Sequence, residues 1–194
     1  MVRLIGRNKI KTAVFISGTG SNLKNLIKFS KSKKSPIKIG CIISNNKNAK
    51  GLIYAKRFKI KKKVHNFLKD TKAEKKTLEF LRINQINLIC LAGFMRILSN
   101  TFIEKFDGKI LNIHPSLLPK YKGLNTHQRV IKNKEKFSGC SVHFVNEKLD
   151  SGKIILQKKV RIFKFDTAES LANRVLLQEN KLFPKAINKI LSKI

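Results

Sequence analysis

Short apolar runs alternate with stretches of helical spacing along most of the chain, and this alternation restricts the possible folds more than any other feature. Residues 11–16 are apolar around Ala13, Val14, Phe15 and Ile16. Ser17-Gly18-Thr19-Gly20-Ser21-Asn22 follows, and then Leu23, Leu26 and Ile27 at helical intervals. That order predicts a strand, a glycine-rich turn and a helix. Residues 37–43, 61–65, 87–91 and 109–113 predict further strands, with helices over 49–58, 72–83 and 101–106. Strands alternating with helices define an α/β fold whose mainly parallel sheet is covered on both faces. Residues 140–145 and 154–160 predict two more strands with no obvious helix between them, so the sheet is expected to finish in mixed or antiparallel strands. Residues 169–194 predict a last helix that packs back onto the sheet. With no linker and no repeat, the expectation is one domain over residues 1–194.

In such sheets reactive groups collect beyond the C-terminal ends of the strands. Four segments are expected there: 18–22, 93–98, 112–121 and 146–150. In the first, glycines let the backbone approach an anion, and the free N–H groups of the helix start point at it. It lacks the third glycine and the strand-ending acid of a dinucleotide site, since Asn45 stands where the acid would be. It also lacks the Gly-Lys-Ser/Thr of a Walker loop. A single phosphate fits better than a pyrophosphate, although a tight turn capped by Ser21 or Asn22 fits the spacing equally well.

Asn112 and His114 are two residues apart, so in an extended chain they face one side while Ile113 faces the other. Pro115 and Pro119 stiffen the loop that follows. Asp150 lies in the turn Leu149-Asp150-Ser151-Gly152. An amide donor for an oxyanion, an imidazole for moving protons and a carboxylate to raise its pKa suit carbonyl transfer to an amine. Each residue also has an ordinary reading, as a loop bond, a buried hydrogen-bonded histidine and a turn former. His127 and His143 are further candidates, and His143 either lines the same cleft or simply hydrogen-bonds within it. His65 reads more easily as structural or surface.

Composition excludes several classes. No apolar run approaches the length of a membrane helix, and the N-terminus has no signal-peptide core, so a cytoplasmic protein is expected. Cys41, Cys90 and Cys140 are too dispersed for a disulfide framework or a structural zinc site, and no metal is expected. A formal charge of +32 invites a polyanion partner. Lysines lie along nearly the whole chain, arginines are few, and aromatics do not interleave with them, so a solvated surface is expected and no specific nucleic acid.

The motifs resemble a known family, phosphoribosylglycinamide formyltransferase, the folate-dependent enzymes of purine synthesis. The resemblance rests on Phe15-Ile16-Ser17-Gly18-Thr19-Gly20-Ser21-Asn22-Leu23, on Leu91-Ala92-Gly93-Phe94-Met95-Arg96-Ile97-Leu98 and above all on Leu111-Asn112-Ile113-His114-Pro115-Ser116-Leu117-Leu118-Pro119-Lys120-Tyr121. Ser141-Val142-His143-Phe144-Val145 and Leu149-Asp150-Ser151-Gly152 complete it. It implies a Rossmann-like three-layer formyltransferase fold and transfer of a formyl group from 10-formyltetrahydrofolate to the amine of 5-phosphoribosylglycinamide. The implied catalytic residues are Asn112 holding the formyl oxygen, His114 as general acid and Asp150 raising its pKa. The substrate phosphate is implied at Gly20, Ser21 and Asn22, and its ribose or amine end at Glu179 beside Leu176, Leu177 and Gln178. The folate is implied at Met95, Arg96, Ile97 and Leu98, at Asn112 and along Asn146, Glu147, Lys148, Leu149 and Asp150, with Lys72 in place of an arginine. Thr19 and Asn125 depart from the residues usual in the family. Two relatives share the Asn, His and Asp site, one acting on initiator tRNA and one a hydrolase. Chain length and the first loop favour the glycinamide enzyme, as a monomer or homodimer acting on small molecules.

Overall fold

The computed structural model describes residues 9–67 and 72–191. At the centre of its sheet, β1 (Ile10–Ile16) pairs in parallel with β2 (Ile37–Ser44) and β4 (Leu88–Leu91). β3 (Lys61–Val64) extends one side, and β5 (Lys109–His114) the other, also in parallel. β6 (Phe137–Phe144) and β7 (Ile154–Arg161) complete it in antiparallel fashion, giving the order β3-β2-β1-β4-β5-β6-β7.

The period of two in β1 explains the layers. Val14 and Ile16 enter one apolar cluster, Ala13 and Phe15 the other. The first cluster is closed by α1 (Ser21–Lys31), α2 (Ile53–Arg57), α5 (Thr126–Lys132) and α6 (Ala168–Leu191). The second is closed by α3 (Ala73–Ile83) and α4 (Asn100–Lys105). α1 has no side-chain cap at Gly20, but it buries Leu23, Leu26 and Ile27. Each such burial stabilises by about 1.5–3 kcal/mol, against roughly 1 kcal/mol for a missing cap. Packing therefore decides that helix. In α6, Leu171, Val175, Leu182, Phe183, Ala186 and Ile187 repeat at helical spacing against β6 and β7.

Three expectations are corrected. The helix over 49–58 is instead a 3-10 turn, Lys50–Leu52, followed by α2. The Leu52 N–H reaches back three residues to the Ala49 carbonyl at 2.9 Å, and Gly51 packs this tight turn against Gly20 of the first loop. α5 was not expected: only Thr126 and Val130 are fully buried in it, too few to give a periodic signal. β6 begins at Phe137, before the expected residue 140, because residues 137–139 pair with 159–161 of β7.

Both sheet edges carry lysine. Lys61, Lys62 and Lys63 are exposed on β3, as are Lys158 and Lys159 on β7. Charged edges resist pairing with another strand, so part of the large positive charge has a structural place. Among the described residues no helix is long and apolar enough to cross a membrane.

The three cysteines are buried and free, and burial raises Cys41 and Cys140 to about 12 and Cys90 further still. Thiolate is the reactive form. A thiol reagent at pH 8 is therefore expected to label none of them in the folded protein and all three in denaturant. Rapid native labelling would contradict this burial.

Candidate active site

Asn112 and His114 project from the same face of β5, and His143 lies directly opposite Asn112 in the antiparallel register. β6 runs back, so its C-terminal end lies beside Leu111 and not beyond His114. The turn at 146–150 is thus not simply a strand-end loop, as expected from sequence. It folds over the face of β5 and brings Asp150 onto these three side chains.

The resulting cluster is tight. His114 Nδ1 lies 3.3 Å from Asp150 Oδ2. Asn112 Nδ2 donates to Asp150 Oδ1 at 3.3 Å and lies 3.1 Å from His143 Nε2. His143 Nδ1 is 2.8 Å from the Phe144 carbonyl, so that nitrogen carries the proton and Nε2 accepts from Asn112. Both amide protons of Asn112 are then engaged. Asp150 has φ +46°, and its Oδ2 accepts from the Gly123 N–H at 2.9 Å. Asp150 Oδ1 lies 3.6 Å from His143 Nε2. Burial raises the Asp150 pKa, but the facing His143, the Gly123 N–H and His114 outweigh it and hold the carboxyl below its usual range.

Opposing influences act on the His114 pKa. Asp150 and the Tyr121 carbonyl, 2.9 Å from Nε2, do push its pKa up. Burial pushes it down and wins, with help from His143 and Arg129. The reason is enclosure: the side chain is 6% exposed, wrapped by the loop after β5. His127 is also lowered by burial and by His114, and its Nδ1 is buried with no hydrogen-bond partner among the described residues.

The first loop serves the fold as well as any ligand. Gly20 has φ +73°, and a Cβ there would stand 2.7 Å from the Gly51 Cα. The α1 N-terminus leaves backbone donors for an anion. Asn22 is 8% exposed and its Nδ2 donates to Glu179 Oε2 at 2.7 Å, which engages one of its two amide N–H groups. Burial raises the Glu179 pKa, and the Asn22 bond opposes that. α1 and α6 thus bring Gly20, Ser21, Asn22 and Glu179 into one neighbourhood. Leu176 and Gln178 are half-buried nearby. Leu177 is 60% exposed on α6, whereas Glu179 is buried.

Of the residues expected around a flat ring, Met95, Arg96 and Ile97 are exposed. Leu98 is not: it packs with Phe102 and Phe106 in the second cluster, so its side chain is core. Ser17 holds this segment in place, its Oγ accepting from the Met95 N–H at 2.7 Å. Asn146, Glu147, Lys148 and Leu149 are exposed on the turn leading to Asp150, which Asn146 shapes by accepting from the Lys148 N–H at 3.2 Å. Lys72 is exposed just before α3, where Glu74 accepts from the Ser99 N–H at 2.8 Å and ties that helix start to the 95–98 segment. A cleft of about 620 Å³, lined by Ser17, Asn45, Asn46, Asn48, Met95 and Arg96 among others, opens beside it. Sequence reasoning did not assign Ser17, Gly123 or the Tyr121 carbonyl to the site. The β5–β6 register is what reveals the Asn112–His143 pair.

An α/β sheet with an Asn–His–Asp cluster at the β5 exit defines a class of enzyme. The sequence profile of the formyl transferase family matches residues 10–187, and the chain belongs to that family. More particularly, it is similar to phosphoribosylglycinamide formyltransferase of Haemophilus influenzae, with 46% identity over 91% of this chain and 85% of the relative. It is 44% identical to the trifunctional purine biosynthetic protein adenosine-3 of Homo sapiens, covering 96% of this chain but 19% of that protein's length. The crystal structure of phosphoribosylglycinamide formyltransferase from Anaplasma phagocytophilum superposes with a TM-score of 0.90, at 41% identity, over 96% of this chain and 88% of that one.

Proposed function

We propose that this enzyme transfers the formyl group of 10-formyltetrahydrofolate to the amine of 5-phosphoribosylglycinamide, a step of purine synthesis that releases tetrahydrofolate. The observation that carries this reading is the convergence of Asn112, His114 and Asp150 at one point, within a chain of this family. The enzyme works in the cytoplasm, as a monomer or homodimer, on small molecules and without a nucleic-acid partner.

The site suits a folate. Exposed Met95, Ile97 and Leu149 offer apolar contact on either side, and the backbone of 146–150 offers polar groups to a ring edge. Bound there, the folate supplies an activated formyl carbon. Asn112 releases its longer bond to Asp150 and turns that N–H to the formyl oxygen as charge develops on it. Neutral His114, with Nε2 held by the Tyr121 carbonyl, takes up at Nδ1 the proton lost by the attacking amine. Asp150 stabilises the resulting imidazolium. The same proton then goes to the departing folate nitrogen, so the ring ends as it began. Substrate phosphate binds at the N-terminus of α1, and Glu179 takes the ribose or amine end.

Because burial lowers the His114 pKa, the acid limb of kcat/KM is expected below the usual histidine value of 6.5. Asp150→Asn removes a group that raises that pKa and should move the limb to still lower pH, as well as reducing kcat. Asn tolerates the positive φ of Asp150, so the turn itself should persist. A pH profile with the limb unmoved would remove Asp150 from the proton-handling role. The reaction itself is tested by offering 10-formyltetrahydrofolate with glycinamide ribonucleotide, water or charged initiator tRNA. Formyl transfer to the first alone is expected, and preference for either other acceptor would overturn the reading.

A further inference from the structure

The loop after β5 touches both partners of the His114–Asp150 pair, through Tyr121 and Gly123. The Tyr121 carbonyl accepts from His114 Nε2 at 2.9 Å. The Gly123 N–H donates to Asp150 Oδ2 at 2.9 Å. Between them, the Lys122 carbonyl accepts from Arg129 Nη1 at 2.6 Å.

This bracket has an uncommon backbone. Tyr121 and Gly123 have φ +57° and +77°, and left-handed geometry is disfavoured for a bulky residue such as Tyr. Contacts from α5 and the turn after it hold the segment there. The Tyr121 hydroxyl donates to Glu135 Oε1 at 2.9 Å and accepts from Asn133 Nδ2 at 3.0 Å. The Arg129 guanidinium lies 5.3 Å from the centre of the Tyr121 ring. Lys120 adds a second contact to Glu135 at 3.1 Å. The hydroxyl and the ring of one tyrosine are thus held, and its carbonyl is aimed by them.

We propose that Arg129 and Glu135 are positioning residues, which grip residues 121–123 from α5 and its following turn and so hold His114 and Asp150 in register. Neither residue touches the reacting atoms. The inference rests on the reading of His114 and Asp150 as the proton-handling pair. An imidazole held at Nε2 has its proton assigned, and Nδ1 is left for Asp150. A loosened bracket frees the ring, and small misplacements of a catalytic group are costly in rate.

The sign of the expected shift follows from the groups facing His114. These are Asp150 from its turn, His143 from β6, Arg129 and His127 from α5, and the Tyr121 carbonyl. The carbonyl and Asp150 raise its pKa, while Arg129 lowers it through its charge. Arg129→Ala would therefore mix two opposite effects. Arg129→Lys keeps the charge and removes the planar fork. Tyr121→Phe removes only the hydroxyl, and Glu135→Gln removes its charged acceptor.

The test is nitrogen NMR of the His114 ring across pH, together with kcat and KM, in the full-length Arg129→Lys, Tyr121→Phe and Glu135→Gln variants. Expected are a lower His114 titration midpoint, a kcat reduced about tenfold and a KM within about twofold of wild type. An unmoved midpoint in all three variants would overturn the proposal. So would a rise in KM with kcat unchanged, which would make the segment a substrate contact instead. The two readings separate cleanly. If His114→Ala retained turnover while these variants still moved the His114 titration, the catalytic assignment would fall and the bracket would stand.

Discussion

His114→Ala is expected to lower turnover about 10³-fold while the chain stays folded. The imidazole, paired with Asp150, is the group placed to take a proton from the amine and pass it on. Asn112 cannot titrate, and the Asp150 carboxyl is held below its usual range. His143 serves Asn112 instead, with Nε2 3.1 Å from that amide and Nδ1 2.8 Å from the Phe144 carbonyl. The structural cost is smaller. The variant leaves the Tyr121 carbonyl without its donor and opens a small void, together about 1–3 kcal/mol, against a total stability of roughly 5–15 kcal/mol. Urea unfolding and steady-state rates on the same preparation separate the two effects. Turnover within a few-fold of wild type would remove His114 from the chemistry.

Gly152→Ala is expected to be the most damaging single methyl group in the active-site hairpin. A Cβ at Gly152 would stand 1.8 Å from the Phe144 carbonyl oxygen, an atom with no rotamer to escape into. The neighbouring ladder bond, from the Phe144 N–H to the Lys153 carbonyl at 3.0 Å, holds the strands together there. Relief requires the neck between β6 and β7 to open, at a cost of about 3 kcal/mol or more. Asp150 lies two residues away, so activity should fall along with stability. Gly18→Ala is the control, since its Cβ would meet nothing within 4 Å. It should leave the urea midpoint within about 1 kcal/mol of wild type. Equal midpoints for the two variants would show that the neck has slack.

The parallel half of the sheet could be read from sequence because β1 carries its instructions locally. Ala13 and Phe15 alternate with Val14 and Ile16, and both faces are filled. Asn112 and His114 were legible for the same reason, since a period of two puts them on one face. What escaped depended on non-local contacts. The pairing of His143 with Asn112 exists only once the register of β5 against β6 is known. Ile97 and Leu98 look alike in sequence, yet one is 73% exposed and the other packs under α4. The carboxylate that raises the His114 pKa is visible in sequence, whereas the enclosure that lowers it is not.

The doubly engaged amide of Asn112 bears on the design of ligands for this site. A molecule that offers only an acceptor oxygen exchanges one hydrogen bond for another and leaves Asp150 Oδ1 without its donor. Its gain is correspondingly small, because an unpaired buried acceptor is costly. A molecule carrying an acceptor and a hydroxyl on the same carbon can face Asn112 with one and Asp150 with the other. The site thus favours inhibitors with a geminal diol or a comparable paired headgroup over simple carbonyl compounds.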